Sequence, residues 1–350
     1  MRFRAIDKDR DINLYRAYVD REACGRSRIG DENIAFVGKE EKMQETNVEQ
    51  LKKEILELKE KRDAVILAHY YVDGEVQAIA DYVGDSYFLS KLAIELKEQT
   101  IIFCGVSFMG ESAKVLNPGK KVVMADEFAD CPMAHMAEVA KIEEVRKEWD
   151  DVAVVCYVNS TSELKAYSDV CVTSSNAIKV VRNLKEKNIY FIPDENLGRY
   201  VAKQLPEKHF IFNDGFCHVH KSIHADELLK AKEVHPEAKV LTHPECTGDV
   251  LELSDFIGST SQIIDYATES DAKEFIICTE MGVFYELAQK NPDKKFYSVG
   301  HRQFCPNMKK ITLEKVKNAL ETLQPEMIVD PEIAEKSCKP LEKMLELAAK

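Results

Sequence analysis

Short apolar runs rich in β-branched residues recur along the chain, and amphipathic stretches separate them. AVILAH, TIIFCGV and KKVVMA come first, VAVVCY, IYFIPD and HFIFND follow, and AKVLTH, EFIICT and KKFYSV close the series. Between them, segments such as SYFLSKLAIELKEQ and NAIKVVRNLKEK space apolar residues by three and four, as helices with one buried face do. Continuous apolar strands alternating with helices predict parallel sheets covered on both faces.

The pattern repeats with a period near 87 residues. Strand-like runs end at His69, Tyr157 and His243, and twelve residues after each comes an aspartate: Asp81, Asp169 and Asp255. Five residues further stands a hydroxyl, Ser86, Ser174 or Thr260, and a proline follows each aspartate by 37 positions, at Pro118, Pro206 and Pro292. Each module reads strand, helix, short strand, helix, strand, helix, strand, loop. The expected architecture is therefore α/β: three homologous three-layer α/β/α domains with small parallel sheets, in a pseudo-threefold arrangement around a central active site. The expected boundaries are an extension over 1–46 outside the catalytic fold, repeats over 47–138, 139–228 and 229–312, and a C-terminal helical segment over 313–350. The 42 residues before Met43 are charged and mixed without sustained helical periodicity and are expected to lie outside the catalytic fold.

Ligands of parallel α/β sheets sit beyond the carboxyl ends of the strands. Residues just past equivalent strand ends should therefore converge: His69 with Tyr71, Tyr157 with Asn159, and His243 with Glu245. Ser86, Ser174 and Thr260 are each expected at a helix N-terminus, where a hydroxyl and free backbone N–H groups favour an anion. One such serine alone reads as a plain helix cap. Three at matched positions point to a carboxylate- or phosphate-bearing ligand.

Composition narrows the classes. The chain has 350 residues, 45% hydrophobic and 31% charged, with a net charge of −13. That balance argues against a general nucleic-acid binder, which needs a Lys and Arg surplus. No apolar run approaches the ~20 residues of a membrane span, and the N-terminus is too charged for a signal peptide, so a cytoplasmic protein is expected. Of ten cysteines, Cys104, Cys156, Cys171 and Cys278 lie inside apolar runs and read as core atoms. Cys131, Cys217 and Cys305 instead open loops, at 50, 48 and 50 residues after the repeated aspartates. No CxxC pair occurs. Three converging thiolates with a vacant fourth position suit a [4Fe–4S] cluster with one open iron, and three-cysteine zinc is the competitor.

These motifs resemble the quinolinate synthase family. The residues that carry the resemblance are ILAHYY (66–71), EVQAIADYVGDS (75–86), CGVSFMGESAKVLNP (104–118), ADCPMA (129–134), YVNSTSELKA (157–166) and TSSNA (173–177). PDENLGRYVAKQ (193–204), CHVH (217–220), THPE (242–245), GSTSQ (258–262) and CPNMK (305–309) continue the match to the C-terminus. The resemblance implies an enzyme of NAD biosynthesis. Such an enzyme condenses iminoaspartate with dihydroxyacetone phosphate to form quinolinate, releasing phosphate and water. It implies one [4Fe–4S] cluster per chain held by Cys131, Cys217 and Cys305, the fourth iron open to substrate as a Lewis acid. It implies substrate contacts at His69, Ser86, Tyr157, Asn159, Ser174, His243, Glu245 and Thr260. Tyr71 and His220 match further active-site positions.

Within that set Glu245 is the best general base, and Tyr71, Tyr157 and His220 are expected to shuttle protons. The lability of iminoaspartate implies a functional link to an enzyme that produces it; no nucleic acid or membrane partner is expected. Val72 and Gly74 stand where the family usually has Gln and Pro, Lys221 where an acidic residue is common, and His218 is unusual beside Cys217. Two readings of other classes compete: a cluster-bearing redox sensor or carrier, which would usually need four protein ligands, and an architectural zinc protein.

Overall fold

A computed structural model describes residues 47–350. Contacts divide the chain between Lys53 and Glu54, and everything below concerns Glu54–Lys350. The expectation for the N-terminal extension falls outside the described residues.

Twelve strands form three four-stranded parallel sheets. The first holds β1 (Ala64–His69), β2 (Tyr82–Gly84), β3 (Thr100–Cys104) and β4 (Lys121–Met124) in the order β2-β1-β3-β4. The second holds β5 (Val152–Tyr157), β6 (Val170–Val172), β7 (Asn188–Ile192) and β8 (His209–Phe212), ordered β6-β5-β7-β8. The third holds β9 (Lys239–Thr242), β10 (Phe256–Ile257), β11 (Glu274–Cys278) and β12 (Lys295–Ser298), ordered β10-β9-β11-β12. Register repeats without a slip. Leu67 pairs with Tyr82, Val155 with Val170 and Leu241 with Phe256, always fifteen residues apart. The central pairs Ala64–Thr100, Val152–Asn188 and Lys239–Phe275 are all 36 apart. Thr100–Lys121, Asn188–His209 and Glu274–Lys295 are all 21 apart.

The repeated aspartates explain part of this regularity. Asp81, Asp169 and Asp255 each stand just before or beside the short second strand and lock it to the first by two bonds. Their backbone N–H groups donate to Ile66, Val154 and Val240 O at 2.9, 3.0 and 2.9 Å. Their carboxylates accept the N–H of the same three residues at 2.8, 2.7 and 2.7 Å. These aspartates are structural. A second threefold device was invisible in the apolar pattern: Lys120, Lys208 and Lys294, each two residues past the repeated proline. Lys120 donates to Ala93 O, Lys208 to Leu184 O and Lys294 to Ala267 O, satisfying carbonyls left bare where the preceding segment ends.

The first and third strands of each sheet in chain order, β1 with β3, β5 with β7 and β9 with β11, are mostly buried, β1 throughout. Cys104, Cys156, Cys171 and Cys278 are fully buried in β3, β5, β6 and β11, as expected of core atoms. One helix is shorter than its sequence pattern: NAIKVVRNLKEK is helical only over Ala177–Arg182, with Asn183 capping it. The final helix, Pro331–Ala349, packs against β6 and the helix Ser162–Ala166 through a face that buries Leu341, Met344 and Leu347. Among the described residues no helix is long and apolar enough to cross a membrane.

Candidate functional site

Parallel strands bring their carboxyl ends to one side of each sheet. His69 ends β1, Tyr157 ends β5, and His243 follows the last residue of β9. Tyr71, Asn159 and Glu245 stand two positions further on. Ser86 and Thr260 open the helices Ser86–Glu95 and Thr260–Glu269. In both, the preceding residue takes the capping role: Asp85 accepts from Phe88 N, and Ser259 from Gln262 N. Ser174 departs from expectation. It sits in a turn three residues before the helix Ala177–Arg182, because Asn176 folds back to accept Thr173 N at 2.8 Å. The loops after β4, β8 and β12 carry Cys131, Cys217 and Cys305. All these residues, with His220, line a single cavity.

Glu245 organises the cavity floor. It is 2% exposed, and both of its oxygens are engaged. Tyr157 donates its hydroxyl to Oε1 at 2.5 Å, and His220 Nδ1 lies 2.7 Å from Oε2. Burial alone would raise this carboxyl, but His220 and His243, with hydrogen bonds from His220 and Tyr157, hold it well below the usual range. The group is an anion. Burial lowers His69 and His243 to about 3 against the opposing pull of Glu245, so both rings are neutral. His243 stacks on His220 at 4.5 Å between centroids and reaches Ser174 Oγ at 3.2 Å. Burial pushes the Tyr71 and Tyr157 phenols well above their ordinary value, with Glu245 adding to it, so both stay protonated.

A hydroxyl that the sequence reading did not single out completes a chain. Thr279 is fully buried and lies one residue past β11. Its Oγ1 is 2.9 Å from His220 Nε2 and 2.8 Å from Tyr71 OH, which in turn is 2.7 Å from Thr260 Oγ1. Close polar contacts thus run from Glu245 through His220, Thr279 and Tyr71 to Thr260, and His220 Nδ1 also lies 3.2 Å from Cys217 Sγ. Asn159 contributes the opposite feature, since its Oδ1 is buried with no hydrogen-bond partner.

Two donor sets could hold a metal. Cys217, His220 and Glu245 place one donor atom each within 4.8 Å of one another, close enough to share a single ion. Cys131, Cys217 and Cys305 form the wider set, one thiol from each repeat around the same cavity. Burial pushes the Cys131 thiol up to about 12 and the Cys217 and Cys305 thiols upward as well. Such thiols give up their protons to a bound cation.

The residues that depart from the family pattern have local explanations. Val72 is fully buried, and Gly74 packs so closely on Tyr285 that a Cβ would fall 2.4 Å from its ring. Lys221 lies over the Phe216 ring at 3.5 Å. His218 lines the cavity beside Cys217.

A family model described as quinolinate synthetase A protein matches residues 53–346. The chain is 54% identical over 298 residues to the quinolinate synthase of Fusobacterium nucleatum subsp. nucleatum, spanning 85% of this chain and 99% of that protein. It is 52% identical over 302 residues to the quinolinate synthase of Caldicellulosiruptor saccharolyticus, spanning 86% of this chain and 100% of that protein. The Clostridioides difficile quinolinate synthase is 48% identical over 295 residues, 84% of this chain and 97% of its own length. With the family model matching most of its length and relatives near half identity over nearly their whole length, the chain belongs to the quinolinate synthetase A family.

Proposed function

We propose that the chain is a quinolinate synthase that condenses iminoaspartate with dihydroxyacetone phosphate, releasing phosphate and water, on a [4Fe–4S] cluster held by Cys131, Cys217 and Cys305. The observation that carries the reading is the convergence of three repeats on one cavity, each supplying one partly buried loop thiol, while four other cysteines are sealed in strands. The donor set fits the group: three soft sulfurs on three separate loops leave a fourth position for substrate. When bound, the cluster supplies an open iron that polarises a substrate oxygen or nitrogen.

The chain's own residues supply the rest. Ser86, Ser174 and Thr260 offer hydroxyls to carboxylate or phosphate oxygens. Asn159 presents a buried acceptor whose partner is a substrate donor. His69 and His243 are neutral and bind substrate without adding charge. Glu245 is the resident anion and takes the proton, and Tyr157, at 2.5 Å, returns one from its protonated phenol. The relay through His220, Thr279 and Tyr71 links Glu245 to the hydroxyl of Thr260 on the far side of the cavity. Ring closure needs several proton transfers at separated atoms, and a relay of this length serves that need.

The test is anaerobic purification, iron and sulfide analysis, then incubation with iminoaspartate and dihydroxyacetone phosphate. The reading expects about four irons and four sulfides per chain and the formation of quinolinate. Stoichiometric zinc without sulfide would favour the Cys217, His220 and Glu245 set instead.

A further inference from the structure

We propose that Asp130, Asp194 and Glu280 are positioning residues that fix the three cluster-binding loops by capturing the backbone N–H of each ligand cysteine. The inference rests on the three-cysteine reading above and extends it to carboxylates bonded to the backbone of the ligand cysteines.

Each ligand cysteine donates its N–H to a carboxylate, from a shared position in the second and third repeats and from the neighbouring residue in the first. Cys131 N–H donates to Asp130 Oδ1 at 2.8 Å, Cys217 N–H to Asp194 Oδ2 at 3.1 Å, and Cys305 N–H to Glu280 Oε1 at 3.0 Å. Asp194 and Glu280 occupy equivalent places two residues past β7 and β11 and are fully buried. Each uses its second oxygen on its own turn: Asp194 Oδ1 accepts Leu197 N–H at 2.6 Å, and Glu280 Oε2 accepts Gly282 N–H at 2.6 Å. The carboxyl therefore ties the turn after the third strand to the loop after the fourth. The first repeat has Val106 at this place and cannot do the same. There the residue just before the cysteine takes over, and Asp130 also accepts the Ser107 hydroxyl, which restores the tie to the turn after β3. Its other oxygen is 2.6 Å from His135 Nε2.

A backbone bond accompanies each tie. Ser107 N–H donates to Ala129 O, Glu195 N–H to Gly215 O, and Met281 N–H to Gln303 O, all at 2.8 Å. Each acceptor lies two residues before the ligand cysteine. Two bonds thus hold each loop where its thiol leaves it. Burial pushes the Asp194 and Glu280 carboxyls up; the N–H donors oppose it at Asp194, and the Lys309 ammonium with the N–H donors opposes it at Glu280. Buried acceptors are costly unless they are used, and all the oxygens of this pair are used on loop placement.

A second consequence concerns cluster electronics. A cysteine N–H held by a carboxylate is not available to a sulfur, and hydrogen bonds to sulfur help set iron–sulfur reduction potentials. At Asp194 and Glu280 an amide offers one acceptor where two N–H groups need one, so either the cysteine N–H or the turn's own N–H is released. At Asp130 the Cys131 N–H and the Ser107 hydroxyl share Oδ1, which an asparagine would keep, so the whole side chain must be removed to free the cysteine N–H.

The experiment compares wild type with Asp130→Ala, Asp194→Asn and Glu280→Gln, and with the exchanges Asp194→Glu and Glu280→Asp, which keep the carboxylate. Anaerobically loaded proteins are challenged with an iron chelator, followed by visible absorbance, and titrated for midpoint potential. Asp130→Ala and the two amide variants are expected to lose cluster about tenfold faster, the size of one charge-assisted bond, and to shift to a more positive potential. The carboxylate exchanges should recover most of both. Asp130 has a side chain 44% exposed, so its variant folds and decides the matter if the buried ones do not. Wild-type rates and potential in Asp130→Ala and in every amide variant that folds would overturn the inference alone. A wild-type protein that holds no cluster would overturn it together with the reading it rests on.

Discussion

Glu245→Gln separates chemistry from architecture. The substitution keeps the shape of a side chain that is 2% exposed and bonded at both oxygens, to Tyr157 at 2.5 Å and to His220 at 2.7 Å. Gln has one acceptor oxygen, so one contact turns into an N–H facing its old partner, and both lose the charge that strengthened them. That costs about 1 kcal/mol per bond. Removing a buried ion relieves a desolvation penalty of several kcal/mol, which acts in the opposite direction. The net change in stability should stay within about 2 kcal/mol, or roughly 5 °C in melting temperature. Turnover has no such compensation. A positioned base contributes ~10²–10⁴-fold, about 3–5.5 kcal/mol of barrier, and an amide takes up no proton. The assay is quinolinate formation by the anaerobically loaded variant, with iron and sulfide measured on the same sample. Turnover within a few-fold of wild type at full cluster content would refute the assignment of Glu245 as base. Loss of iron from a folded variant would make Glu245 a metal ligand instead.

Three further outcomes follow from the geometry. Cys131→Ser, Cys217→Ser and Cys305→Ser should each abolish cluster retention. Cys104→Ala, Cys156→Ala, Cys171→Ala and Cys278→Ala should keep it at a cost of roughly 1–2 kcal/mol, read as iron and sulfide per chain. Asp255→Ala orphans the Val240 N–H that its carboxylate accepts at 2.7 Å and should lose about 1–3 kcal/mol in urea unfolding. Gly282→Ala places a Cβ 2.6 Å from Tyr70 O and 2.7 Å from Tyr71 Cα. The backbone carrying Tyr71 must move, and kcat should fall by about 10²-fold with the cluster content unchanged.

Most of the fold was legible because it is written three times. The strand-end residues, the hydroxyls and the loop cysteines each recur at fixed offsets, and constant register turns those offsets into coincident positions around one cavity. Where recurrence breaks, the sequence reading falters. Ser174 lost its helix terminus to the turn that Asn176 makes. Asp194 and Glu280 recur in only two repeats, with Val106 in the third place, and they went unnoticed, although each stands two residues past its strand. Thr279 has Gly105 and Pro193 at equivalent positions, so no periodicity marks it. Its role appears only when Tyr71 and His220, distant in sequence, meet at its hydroxyl.

Constant register also bears on how the chain folds. Paired strands lie 15, 21 or 36 residues apart in every sheet. Each sheet can therefore close from contacts local to its own stretch, and short closures are fast. The cavity belongs to no single stretch: its thiols arrive from three loops, and Glu245 of the third repeat meets Tyr157 of the second. Sheet formation can run ahead while the cavity waits for the last repeat, so its completion marks the end of folding.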